Sequence, residues 1–76
     1  MSSLETAVPD SPADALAAVV ALRRLADRLE ASGVEVAMRD GWRWSQVGEA
    51  LGVTRQAVHK KHAKRLLAVG VETRRR

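Results

Sequence analysis

The run Trp44–Ser45–Gln46–Val47–Gly48–Glu49–Ala50–Leu51–Gly52–Val53–Thr54–Arg55–Gln56–Ala57–Val58 decides the fold of this 76-residue chain. Trp44 to Leu51 reads as a helix of two turns that Gly52 closes. Val53 turns inward, and Thr54 caps the next helix, its side-chain oxygen accepting an otherwise unmet backbone N–H. Two helices joined at a steep angle by a turn of about three or four residues approach closely at their junction. The first helix then needs a small residue facing the second, and Gly48 is in place. The turn needs a residue tolerant of positive φ, which is Gly52. Val47, Leu51, Val53 and Val58 are the apolar side chains expected to pin the corner.

Downstream, the second helix of the pair is expected over residues 54–68. Ala57, Val58, His62 and Leu66 fall on its inner side, and Arg55, Gln56, His59, Lys60 and Lys64 on its outer side. Residues 70–76, ending in Arg74–Arg75–Arg76, read as a loose basic tail.

Upstream, residues 1–11 lack periodicity and read as a disordered arm. Ser11 is placed as an N-cap, Pro12 at the first helical position, and Asp14 where a capping-box carboxylate would reach back. Leu16, Val19, Leu22, Ala26 and Leu29 recur at helical spacing, predicting a long helix over 12–32 that buries one face and stops at Gly33. A second set, Ala15, Ala18, Leu22, Leu25 and Leu29, follows the heptad steps of a paired-helix seam. These two sets fit either one tri-helical core that absorbs everything or a homodimer joined through this N-terminal helix. Val34, Val36 and Met38 alternate as in a strand, yet no partner strand exists to pair its backbone. A short helix over 34–40 closed by Gly41 is expected instead, separate or continuous through a kink at Gly33.

The net charge of +4 conceals an asymmetry. Residues 1–40 hold seven acids and four bases, a charge of −3, while residues 41–76 hold nine bases and two acids, a charge of +7. A basic half of this kind points to a polyanion, and by itself suits nucleic acid, an acidic protein surface or anionic lipid. The chain has no cysteine, so disulfides, thiolate metal sites and thiol catalysis are excluded. Two Trp and no Phe or Tyr leave a small core of Leu, Val and Ala, which suits closely approaching helices. The Trp residues are expected to cover that core, Trp44 more firmly than Trp42. No basic region precedes the apolar stretch Ala13–Leu22, so it does not read as a secretory signal. It is also only about half the roughly 20 residues that cross a bilayer. A cytoplasmic protein with no membrane association is expected.

The run 44–58, and Leu51–Gly52–Val53–Thr54–Arg55–Gln56–Ala57–Val58 above all, resembles the helix-turn-helix of small bacterial regulators and of the promoter-reading region of sigma factors. A long Ala/Leu helix before a Trp-containing motif also resembles short helix-turn-helix proteins of high-GC bacteria, some of them nucleoid-associated. The close likeness covers residues 41–66. It implies an all-α fold, a tri- to tetra-helical bundle with a C-terminal helix-turn-helix and a long N-terminal helix. It further implies double-stranded DNA as partner, with the second helix of the motif in the major groove. Thr54 and the helix start would then hold a phosphate. Arg55 and Gln56, a turn before His59 and Lys60, would face base edges or flanking phosphates, and Lys64 and Arg65 would serve phosphates. Arg prefers guanine and Gln adenine, so a site with a 5′-GA step follows, GATC being the shortest palindrome that offers it on both strands. Two departures from the motif stand out. Arg43 occupies the usual Ser/Thr cap position, so the helix starts later, at Ser45, or Arg43 faces a phosphate. Lys61 sits where an aliphatic core residue is usual, which leaves His62 to take the packing role.

The expected role is a nucleoid-associated protein or transcriptional regulator, localised to the nucleoid, without cofactor or small-molecule ligand. No nucleophile–base pair, phosphate loop or carboxylate pair stands at useful spacing, so an enzyme is not expected. His59 and His62 alone fall short of the four ligands of a zinc site. The alternative is a protein–protein adaptor, such as an RNA polymerase-docking factor or an antitoxin.

Overall fold

The computed structural model describes residues 11–71, so all but the last residue of the expected arm (1–11) and most of the expected basic tail (70–76) lie outside that range. Three helices follow in order: α1 (Pro12–Arg39), α2 (Trp44–Leu51) and α3 (Arg55–Ala68). The fold is all-α, and α2 and α3 form the expected helix-turn-helix pair.

Helix α1 begins as the sequence predicts, with Ser11 Oγ accepting from the Asp14 amide at 3.3 Å and Pro12 in the first turn. It does not stop at Gly33: residues 34–39 are not a separate helix but continue it, the second of the two expectations, and α1 is one helix of 28 residues. An interior glycine costs a helix only about 1 kcal/mol relative to alanine. Continuing places Val34 and Met38 in the core, and burying one such side chain is worth roughly 1.5–3 kcal/mol. Val36, between them, is exposed, because a helix puts residues four apart, not two apart, on one face. The true stop is Gly41 at φ 88°, where the Trp42 amide donates to Ala37 O at 3.0 Å and the Gly41 amide to Met38 O at 3.1 Å. That pair of bonds is a Schellman closure.

The core is small: Val34 and Met38 from α1, Trp44 and Val47 from α2, Val58, Ala63 and Leu66 from α3, and Val71 beyond it. Trp44 is fully enclosed and Trp42 largely exposed. Val71 corrects the expectation of a loose tail from residue 70. Its amide donates to Leu66 O at 2.8 Å and its side chain is buried.

The predicted stripe Leu16, Val19, Leu22, Ala26 and Leu29 is exposed throughout. The pair α2–α3 is too short to cover more than the C-terminal third of α1, so a single tri-helical core does not absorb both apolar sets. The radius of gyration is 16.4 Å, against about 11 Å for a compact chain of this length. The molecule measures 49 × 25 × 19 Å, and a 28-residue helix alone accounts for about 42 Å of the longest dimension.

Candidate nucleic-acid interface

The corner between α2 and α3 is closed by backbone. A Cβ on Gly48 would lie 2.8 Å from Val53 O, 3.1 Å from Thr54 C and 3.2 Å from Arg55 N. Gly48 is therefore the small residue the crossing demands, and the turn packs directly on α2. Gly52 adopts φ 74°, with its amide donating to Glu49 O and the Val53 amide donating to Gly48 O at 2.9 Å. Val47 and Val58 are buried at the corner as expected, whereas Leu51 and Val53 are 40% and 46% exposed.

Thr54 caps α3, its Oγ1 accepting from the Ala57 amide at 3.0 Å. The amides of Arg55 and Gln56, at the first positions of the helix, have no intrahelical acceptor and sit at its positive end. At the start of α2, Arg43 is the N-cap residue, so the helix does not shift its start to Ser45. Gln46 Oε1 accepts from the Arg43 amide at 2.8 Å. An arginine side chain has no acceptor to offer in return, so the Arg43 guanidinium is left to solvent, beside an exposed Ser45.

The buried face of α3 is Val58, His62, Ala63 and Leu66. Ala57, expected inside, is exposed. Gln56, Lys60 and Lys64 follow at intervals of four and form one exposed ridge, with Arg55 exposed at its N-terminal end. His59 does not join that ridge. Its ring sits edge-on against Trp44, centroids 5.2 Å apart at 75°, although the residue as a whole stays exposed.

The charges of α3 divide in two. Lys61 Nζ lies 3.0 Å from Glu30 Oε2 on α1, and His62 Nε2 lies 2.6 Å from the same oxygen. Arg65 Nη1 reaches His62 Nδ1 at 2.8 Å, and Arg65 Nη2 donates to Ala31 O at 3.3 Å. A guanidinium can only donate, so Nδ1 accepts, and the ring proton sits on Nε2, donated to Glu30. The Lys61 ammonium first, and the His62 N–H second, hold the Glu30 carboxyl below its usual range; Glu30 in turn raises the Lys61 ammonium. Arg65, expected to serve phosphates, is turned inward instead. Arg55, Lys60 and Lys64 have no ion pair among the described residues.

His62 takes the core position that Lys61 vacates. The Glu30–His62–Arg65 cluster ties α3 to α1 across 32 residues of sequence, and nothing in the local pattern of either helix announces it. The adjacency of Lys61 to His62 was the only available sign. Among the described residues no group of His, Asp and Glu is arranged to hold a metal ion, and no helix is long and apolar enough to cross a membrane.

No family model matches the chain, and no solved structure matches it. Uncharacterized proteins of Mycobacterium bovis and of Mycobacterium tuberculosis are 36% identical to it over 66 residues, 87% of this chain. The chain spans about a quarter of the length of these relatives, 26%.

Proposed function

We propose that this chain is a DNA-binding module that lays the N-terminal part of α3 in the major groove, in the role of a nucleoid-associated protein or transcriptional regulator. One observation carries the reading. The core-bound helix α3 presents Arg55, Gln56, Lys60 and Lys64 on its exposed side, with none of their three cations committed to an acid among the described residues. Thr54 and the first amides of α3 suit a phosphate oxygen at that end. Arg55 and Gln56 are the groups with base-reading chemistry, for guanine and adenine in turn. Lys60 and Lys64 are assigned to phosphates, and Arg43 and Ser45 to the flanking strand. His59 is assigned a supporting role, holding the start of α3 against Trp44. The adaptor reading draws support from the exposed apolar length of α1, which suits a protein partner better than DNA.

Selection from a random duplex pool, followed by fluorescence anisotropy of winners and scrambled controls across salt, tests the proposal. Groove reading predicts enrichment of sites with a GA step and a preference for them that persists at each salt concentration. Steep salt dependence without preference leaves a phosphate binder of the nucleoid type. Absence of binding at moderate salt overturns the proposal in favour of the adaptor.

A further inference from the structure

Helix α1 carries two apolar features that nothing among the described residues covers. The first is its N-terminal half, where Leu16, Val19, Val20, Leu22 and Leu25 are all exposed, between 39% and 66%. At 100° per residue they span more than half of the helix circumference, a width found in helices enclosed on more than one side. The second is an open groove of about 820 Å³ between the C-terminal half of α1 and α2, walled by Leu29, Gly33, Val36, Trp42 and Leu51. Nothing lies within 4 Å of where a Gly33 Cβ would be, so at this point another helix could approach the backbone closely. The two features are continuous, because Leu22, Leu25, Leu29 and Val36 follow one seam along α1 at steps of three, four and seven.

We infer that two copies of this chain pair through α1 in antiparallel fashion, each laying its Leu16–Leu25 segment in the other's groove between α1 and α2. The direction follows from where the features lie. The free segment is N-terminal and the groove C-terminal on the same helix, so only an antiparallel pair fills both grooves at once. A parallel pair sets free segment against free segment and leaves both grooves empty. The two-fold axis falls near Ala26, midway between the free segment and the groove. The width of the apolar arc also finds a use, since a helix lying between α1 and α2 must touch both walls. Arg24 and Arg28 project away from the seam, so pairing does not bury them. Arg23, which falls within the arc between Val19 and Leu16, lays its stem along the apolar surface with its guanidinium in solvent. With Leu29, Val36, Trp42 and Leu51, the exposed area of these side chains comes to roughly 800 Å² per copy, about what one partner gives to a standard stable interface.

This inference does not rest on DNA binding, and its test contains no DNA. Sedimentation equilibrium of the full chain at about 100 µM, above the micromolar end of such interfaces, should return twice 8.3 kDa. The Leu25→Asp variant should sediment as a monomer with its helical circular dichroism retained, because Leu25 lies outside the core. Orientation is read by disulfide trapping, since the chain has no cysteine of its own. Mixed Ala18→Cys and Ser32→Cys proteins should cross-link to each other, and neither to itself. A monomer at that concentration overturns the inference, and so does self-linking of Ala18→Cys without the mixed product.

Discussion

Substituting Gly48 by alanine probes the corner on which the orientation of α3 depends. The added methyl would lie 2.8 Å from Val53 O, 3.1 Å from Thr54 C and 3.2 Å from Arg55 N. All three are backbone atoms, so no rotamer change relieves the contact and the turn itself must move. Overpacking costs about 1–3 kcal/mol, and a contact under 3.0 Å that only backbone movement relieves puts this one in the upper half, about 2–3 kcal/mol. Alanine returns about 1 kcal/mol through its better helix propensity, leaving a net loss of about 1–2 kcal/mol. Gly33→Ala supplies the matched control, because it adds the same methyl inside a helix with nothing within 4 Å. It should stabilise the chain by about 0.8–1 kcal/mol. Both are best measured in the monomeric Leu25→Asp background, so that pairing at the Gly33 groove does not contribute. With a urea dependence of about 1 kcal/mol per molar, Gly48→Ala should lower the unfolding midpoint by about 1–2 M, and Gly33→Ala should raise it by nearly 1 M. Equal shifts in one direction, or a Gly48→Ala midpoint at the parental value, would refute the backbone-closed corner.

The division of charges on α3 predicts that Lys60→Ala and Lys64→Ala each weaken duplex binding and reduce the salt slope by about 0.9. Lys61→Ala, already paired with Glu30, should leave that slope nearly unchanged; anisotropy titrations at four salt concentrations separate these outcomes. Glu30 has its carboxyl lowered below the usual 4.5 by Lys61 and His62, so its contribution to stability is present above that value and drains away as pH falls through the lowered one. Urea unfolding between about pH 5 and pH 3 should show a decline in the parent chain that is flatter in Glu30→Gln. Thr54→Ala should cost about 1 kcal/mol by removing the α3 cap, and Thr54→Ser should restore most of it; thermal melts followed by circular dichroism check both.

The helix pair was legible in the sequence because its requirements are local. Gly48, Gly52 and Thr54 each answer a backbone demand within a few residues, and all three hold in the structure. The same logic fails at Gly33, where a glycine that could stop a helix stands inside one. Two buried side chains further on, Val34 and Met38, outweigh its weak preference. Leu51 and Val53 were assigned to the corner by their apolar character alone, which does not show how closely the backbone of the turn approaches Gly48. The stripe on α1 was expected to be buried and is exposed, because periodicity reports that a face needs cover and not which element supplies it. In the candidate site, Arg55, Gln56, Lys60 and Lys64 lie outward as their spacing predicts. Arg65 and His59 do not join them, because their partners, Ala31 O with His62 and the Trp44 ring, come from residues that the α3 pattern cannot see.

The unbroken run of α1 through Gly33 makes the helix a ruler. Helices rise by a fixed step of about 1.5 Å per residue, so sequence length along α1 is distance. In a pair centred near Ala26, the anchoring residues Val34 and Met38 of each copy lie about 15 Å from the axis. The two helix-turn-helix bodies then attach about 30 Å apart along α1, near the roughly 34–36 Å spacing of successive major-groove faces on a duplex. Seven residues inserted after Ala26 would keep every seam residue on its face and lengthen each arm by about 5 Å, setting the two bodies about 10 Å further apart. The interval between half-sites would thus be set by the number of residues in α1, independently of the side chains on α3 that we propose meet the bases.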